Sequence, residues 1–449
     1  MAFKVHTHLK FNKTPLHHFI ENKLTHQNLI KESIMIWITT LFVTAVALNL
    51  AIELWLNIKN QFHISRHRAE VPSDFSEVVS LEAHQKAADY SRAKLQLSRF
   101  ILFFDVAVLL FMTLGGGFQE IYNYWLVTDL APIWRDTAFL LSTFWFLSLL
   151  HLPFSIISTF KIEEAFGFNK MTPVKFITDL LKQWALVLVI GVPLIWAILS
   201  IMDTYFDQAW WFYTWVVWMA FNLVLIWAYP KWIAPIFNKF TPLEEGEMKQ
   251  RIEALLKRTG FESNGIFVMD GSSRSGHGNA YFTGFGKNKR IVFFDTLLET
   301  LTPEEVEAVL AHELGHFKHG HIKKRLIESF ALSLAGLAFL GWLAQQTEFY
   351  TGLGMTTQTP AAALLLFMTA IPVMFFFLGP ISAFKSRKHE FEADAFASES
   401  VGSTPLISAL LKMYRDNASS LTPDPTYSGY HDSHPPAKIR IDHLKSLEK

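Results

Sequence analysis

Residues 302–345 read TPEEVEAVLAHELGHFKHGHIKKRLIESFALSLAGLAFLGWLAQ, and the two halves of this stretch set the fold. The first half is a helix on local grounds. Thr302 and Glu305 have the spacing of a capping box, and Pro303 takes the first helical position. The second half carries no charge between Phe330 and Gln345. With its flanks it approaches the roughly 20 apolar residues needed to cross a bilayer. A polar helix with a His-Glu-x-x-His pattern is thus delivered straight into a membrane span.

The rest of the chain agrees with a membrane setting. Of 449 residues, 51% are hydrophobic and only 18% charged, against roughly 25% in soluble domains. Seven candidate spans emerge, at 34–57, 100–118, 138–158, 177–202, 210–229, 326–344 and 361–384. The last two are the cleanest, while Pro153 and Pro193 interrupt the third and fourth. Odd connections are rich in Lys and Arg, and the even ones carry at most Arg135. By the positive-inside rule, the odd connections and the C-terminal segment face the cytoplasm. The N-terminus then lies outside, against the sign of its own five lysines. The opening MAFKVHTHLKFNKTPLHHF lacks the apolar core of a cleaved signal, and its histidines at 6, 8, 17 and 18 read as a solvated tail.

Five regions follow: a tail at 1–33, five spans and their connections at 34–229, a cytoplasmic segment at 230–325, two spans at 326–384 and a cytoplasmic end at 385–449. The fold class is mainly α, a seven-span helical membrane protein with a small cytoplasmic α/β unit. Within 230–325 the pattern predicts a helix near 243–258, strands at 265–270 and 290–295, and a Gly/Ser-rich turn at 271–280. A helix is expected over 385–414.

The zero formal net charge (40 basic, 40 acidic side chains) offers nothing to a nucleic acid. The absence of cysteine excludes disulfides, thiolate metal sites and cysteine nucleophiles. Any metal must sit on His and carboxylates. His312 and His316 are one turn apart on one helix face, so both imidazoles can reach one zinc ion. Glu313 can reach a water on that metal, whose pKa falls toward ~7, and can act as general base. A catalytic zinc needs a third protein ligand. The long motif with Gly and His three and six residues further on fails, because His319 and Ile322 stand there. His319 lies one turn too far along. Glu390, in SRKHEFEADAFA (386–397), is the third ligand: its helix leaves the seventh span as the His helix enters the sixth, so a hairpin brings both to one edge of the bilayer. Asp394, one turn after Glu390, is placed to accept the outer N–H of a ligating His. Glu392 reads as a solvated acidic face.

These motifs, with LPFSIISTFKIEEAFGFNKMTP (152–173), APIFNKFTPLEEGE (234–247), GSSRSGHGNAYFTGFGKNKRIVFFDTLL (271–298) and SHPP (433–436), resemble the type I CAAX prenyl proteases. The resemblance covers about 50 to 440. It implies a barrel of tilted helices around a hydrophilic chamber, capped on its cytoplasmic side by one zinc per chain on His312, His316 and Glu390, with Glu313 as base. It implies that Asn279 and Ala280 lie on an edge strand that pairs with substrate, that His434 supports the oxyanion and that Arg440 holds the C-terminal segment. His321 matches the family and His319 does not; both are expected at the surface or behind the ligands. Gly278 departs from the family's Ser. Glu163 and Glu164 are expected in structural salt bridges. Glu53 and Asp105 either face the chamber or lie near span ends.

The expected partners are a peptide or protein substrate, with a prenylated C-terminus implied by the resemblance, and the lipid bilayer. Two rivals stand beside this: a quality-control protease with unprenylated substrates, and a transporter or channel with a structural zinc. The short sixth connection points to a bacterial cytoplasmic membrane, with the endoplasmic reticulum as the eukaryotic equivalent.

Overall fold

The computed structural model describes residues 15–206, 208–283 and 289–448. The histidines at 6 and 8 lie outside the described residues. So do the side chains of those at 17 and 18. Helix α1 spans Pro15–Arg66, so helix already covers the later part of the expected tail. No proline or glycine interrupts it after Pro15, which suits the first turn of a helix. The further spans are α2 (Leu81–Met112), α3 (Pro132–Ile157), α4 (Pro173–Leu186) continued by α5 (Val192–Thr204), and α6 (Trp210–Ala228). Pro153 sits inside α3 without breaking it. Pro193 is handled differently. A wide π turn at Val187–Gly191 joins α4 to α5 just ahead of it, shifting the hydrogen-bond register where the ring has no N–H to give.

Six described helices are long and apolar enough to cross a bilayer, and a bent pair makes the seventh. That pair is α10 (Pro360–Met374) and α11 (Gly379–Val401), numbered after helices α7 (Glu247–Thr259) and α8 (Pro303–Lys318) and the sixth span, α9 (His321–Leu343). The apolar run at 361–384 is therefore not one straight span: it bends by 58°. Pro372 removes one ladder donor, and Pro380 restarts the helix after Gly379. The spans leave large apolar side chains uncovered, among them Trp37, Phe100, Val189 and Leu332, each at least 70% exposed. Lipid is the medium that suits them. Deep in the spans, Asp105 of α2 meets His151 of α3 at 3.0 Å, with both side chains nearly half exposed. Charges at that depth face water, which agrees with a hydrophilic interior. Glu53 of α1 instead reaches His431 at 3.2 Å, below the metal-bearing segments.

The largest unit outside the spans is a four-stranded mixed sheet with helices packed on it. Its strands are β1 (Phe240–Pro242), β2 (Ile266–Met269), β3 (Ala280–Thr283) and β4 (Arg290–Phe294), in the order β1-β2-β4-β3. The β2–β4 pair is parallel and the outer pairs are antiparallel. Helix α7 (Glu247–Thr259) and helix α8 (Pro303–Lys318) pack over it. Leu310 and Leu314 of α8 are buried with Ile252 and Leu255 of α7 and Phe293 of β4. Truncating such a leucine costs about 2–5 kcal/mol.

Helix α8 does not run straight into the sixth span, α9 (His321–Leu343), as its sequence suggests. Gly320 between them has φ 67°, a left-handed conformation that ends one helix and re-aims the next. Gly402, at φ 85°, likewise splits the expected 385–414 helix into α11 and α12 (Ser403–Asp416). Helices α13 (Pro425–His431) and α14 (Ala437–Leu447) complete the chain. The N-cap of α13, Asp424, is held by α1: its N–H donates to Asn60, and Lys59 lies 3.6 Å from its carboxylate.

Candidate metal centre

Helix α8 is pinned at its start by the expected capping box. Glu305 N–H donates to the Thr302 hydroxyl, and the Glu305 carboxylate accepts from Thr302 N–H at 2.8 Å. Its last turns pack against α11 more closely than any side chain but hydrogen would allow. A Cβ on Gly315 would stand 2.8 Å from Ala393 Cα and 3.0 Å from its carbonyl oxygen. The glycine inside HELGH thus sets the helix separation, and with it the distance between the imidazoles and Glu390.

That distance suits a metal. His312 Nε2 lies 3.4 Å from Glu390 Oε2, and His316 Nε2 lies 3.3 Å from Oε1. Tetrahedral zinc with ligands at about 2.0–2.2 Å requires edges of about 3.3–3.5 Å. One donor atom from each of the three falls within 4.8 Å of the others. Glu390 is 1% exposed, and among the described residues its Oε2 makes no well-formed hydrogen bond, its nearest nitrogens being His312 Nε2 at 3.4 Å and His434 Nε2 at 3.5 Å. A buried carboxylate oxygen so weakly satisfied is the acceptor a cation would complete. The donor set of two imidazoles and one carboxylate is that of a catalytic zinc with a position open.

Behind His312, the Nδ1 atom meets Asp394 Oδ1 at 2.8 Å. Arg440 grips the same carboxylate with two bonds, Nε to Oδ2 at 2.9 Å and Nη2 to Oδ1 at 2.5 Å. The structure thus brings Asp394 and Arg440 together behind His312. Burial and the Arg440 charge oppose a proton on metal-free His312. Hydrogen bonds to Asp394 and Glu390 outweigh them and push its imidazole up to about 9.

In Glu392, though not in His321, the structure departs from expectation behind His316. Its Nδ1 lies 3.0 Å from His321 Nδ1, and His321 Nε2 lies 2.8 Å from Glu392 Oε2. With Nε2 of His316 facing the metal position, one tautomer fits throughout: each ring passes an N–H outward until Glu392 accepts the last. Glu392 is thus not merely part of a solvated face. It points away from Glu390 on its own helix, and the turn at Gly320 brings His321 to it. His389 stacks on His321 at 4.0 Å between ring centroids, and His319 stands on that ring at 5.6 Å, away from the metal position.

Glu313 lies next to both imidazoles. Burial raises its carboxyl above the ordinary range, and His312 and His316 pull it back. His434 approaches from the C-terminal segment, with Nε2 3.5 Å from Glu390 Oε2 and its side chain 60% exposed. Desolvation of the ring, aided by the charge of Arg440, holds its imidazole below the ordinary range, while Glu390 pulls the other way. Ala280 opens β3, the strand at the sheet's edge, and Asn279 directly precedes it. Glu163 accepts from Tyr90 at 2.5 Å and faces His277 at 3.4 Å; Glu164 accepts from Asn169 at 2.8 Å. Glu163 thus has a paired, structural place, as expected.

Comparison with known proteins matches the chain in two segments. Residues 60–239 match a family described as CAAX prenyl protease N-terminal, five membrane helices, and residues 242–448 match peptidase family M48. The CAAX prenyl protease 1 homolog of Arabidopsis thaliana is 36% identical over 84% of this chain and 91% of its own. The CAAX prenyl protease 1 of Saccharomyces cerevisiae is 34% identical over 84% and 88%. The human homolog is 31% identical over 87% and 92%. The crystal structure of S. mikatae Ste24p superposes with a TM-score of 0.83 at 32% identity, covering 91% of this chain and 98% of that one.

Proposed function

Since the chain belongs to the CAAX prenyl protease 1 family of M48 zinc metalloproteases, we propose that it cleaves prenylated proteins near their C-termini at the cytoplasmic face of its membrane. The observation that carries this reading is the convergence of His312, His316 and Glu390 beside Glu313. The substrate class follows the names of the relatives. The sidedness follows the Lys/Arg pattern of the connections. The segments 230–325 and 385–449 act as one cytoplasmic protease unit on a seven-span base. The short connection after the sixth span keeps a bacterial cytoplasmic membrane as the favoured location, with the endoplasmic reticulum as its eukaryotic counterpart.

Zinc, when bound, supplies a Lewis acid that polarises the scissile carbonyl and makes a nearby water more acidic. The chain's own residues do the rest. His312, His316 and Glu390 hold the ion. Asp394 and Arg440 fix the tautomer of His312. Glu313, its carboxyl raised by burial, accepts a proton from the attacking water and returns it to the departing nitrogen. His434 extends its exposed ring toward the same space, where an N–H donor stabilises the oxyanion of the tetrahedral intermediate. Asn279 and the backbone of Ala280 align the substrate along β3.

Glu313→Gln tests this. The variant retains about one zinc per chain and loses roughly 10²–10⁴-fold in hydrolysis of a prenylated CAAX peptide. Undiminished turnover would remove Glu313 from its role. Equal cleavage of unprenylated membrane substrates by the unaltered protein would transfer the reading to a quality-control protease. Chelator-insensitive ion flux without proteolysis would favour the transporter.

A further inference from the structure

The edge of β3 is open over a short length only. Phe294 N–H donates to Asn279 C=O, so residue 279 faces β4 and the alternation turns the backbone of Ala280 and Phe282 outward. One step further back the edge closes. The side chain of Asn417 takes both backbone groups of Gly278, accepting from its N–H at 3.0 Å and donating to its C=O at 3.3 Å. A chain added to this edge antiparallel runs its C-terminal residues past Ala280 toward Gly278, and Asn417 forces it off the sheet there.

Next to that point lies a cavity of about 1000 Å³, whose wall includes Gly278, Asn279, Asn417 and His434. It is large enough for a short chain end and far too small for the body of a protein. Three extended residues reach about 10 Å. The cavity's basic side chains can be taken in turn. His277 faces Glu163 at 3.4 Å, His431 faces Glu53 at 3.2 Å, and His434 faces Glu390 at 3.5 Å. Lys94 of α2 has no ion-pair partner among the described residues. Its Nζ rests 4.9 Å from the centroid of the Tyr90 ring, in the same wall. The one acidic side chain in that wall, Asp432, is pushed above the ordinary carboxyl range by burial, which lowers its competition for the lysine.

We propose that this cavity receives the C-terminal end of the substrate and that Lys94 binds its terminal carboxylate. The inference rests on the C-terminal cleavage proposed above and assigns the group that reads the chain end. It makes Lys94 a specificity residue, because a solvent-exposed ammonium on the cavity wall still attracts a free carboxylate and not a neutral amide.

The experiment compares two prenylated CAAX peptides of one sequence, one ending in the free acid and one in the amide. Full-length zinc-loaded protein is used, unaltered and as Lys94→Met and Lys94→Arg. The unaltered protein prefers the acid by about ten-fold or more in kcat/KM, the size of a hydrogen bond to a charged group. Lys94→Met brings the acid-to-amide ratio to about 1, chiefly through a higher KM for the acid, and Lys94→Arg keeps the preference. The free-acid tripeptide product inhibits the unaltered protein more strongly than its amide, and this difference disappears in Lys94→Met. Equal cleavage of acid and amide by the unaltered protein would overturn the inference while leaving the protease reading intact. So would a preference that survives Lys94→Met. Failure of zinc-loaded protein to cleave either peptide would overturn both.

Discussion

His312 backs onto Asp394, whose side chain is wholly buried and clamped by Arg440, whereas His316 backs onto His321, which hands the contact to Glu392 with 31% of its side chain exposed. One support is a dry ion pair tying together α8, α11 and α14. The other is a neutral ring leading to a carboxylate in water. Buried charges that lose a partner are costly, while exposed ones are screened. The same metal is therefore held rigidly from one side and adjustably from the other.

The largest break in this comparison is Asp394→Asn. It leaves Arg440 buried without its counter-charge, and losing one partner of a buried pair costs about 3–5 kcal/mol. The thermal transition should fall markedly and zinc affinity by about 100-fold. A variant with unchanged melting and unchanged zinc affinity would show that the buried side carries no such weight.

Gly315→Ala should act on both sides at once. The added Cβ meets Ala393 at 2.8 Å, and overpacking of this kind costs about 1–3 kcal/mol. Helix α11 must move with Glu390, so zinc affinity should fall although no ligand has changed. Calorimetric titration of metal-free protein reads this directly. An affinity equal to the unaltered protein's would mean that the helix contact does not set the site.

Glu392→Gln should have a smaller effect, about ten-fold in zinc affinity, with little change in melting. Replacing the zinc by cobalt should give a shifted absorption spectrum in this variant, because the tautomer chain through His321 loses its terminal acceptor. If Glu392→Gln matched Asp394→Asn in melting, the two supports would not differ as described.

The dependence on pH sharpens the comparison without touching the fold. Metal-free His312 is held at about 9, and zinc binds only the unprotonated ring. Below that value a proton must leave for the metal to enter. Apparent zinc affinity should rise by up to about ten-fold per pH unit from pH 7 toward 9 and then flatten. In Asp394→Asn the flattening should begin at lower pH, because a partner that raises His312 has been neutralised. Identical profiles would separate Asp394 from the proton on His312.

The legible parts of this centre were those encoded on one helix face. The capping box at Thr302, the His312–His316 spacing and the Glu390–Asp394 spacing each repeat at one turn, so sequence alone aligned them. The support behind His316 was not legible. Glu392 falls on the far side of α11 from Glu390, and only the left-handed Gly320 turns His321 toward it. The bend near Phe375 was hidden for a related reason: apolar composition registers the 361–384 run as continuous but does not register the ladder bond that Pro372 omits. Strand β1 is three residues long, too short for an alternating pattern to declare it, while β3, no shorter than the apolar β2 that its own residues declared, was expected only through the family resemblance.

The zinc content of full-length Glu390→Ala, purified without added metal and set against the unaltered protein, tests the centre most directly. About one zinc per chain should be found in the unaltered protein and almost none in the variant, with the fold retained. A variant that still carried one zinc per chain would contradict the assignment of α11 as the third arm of the site.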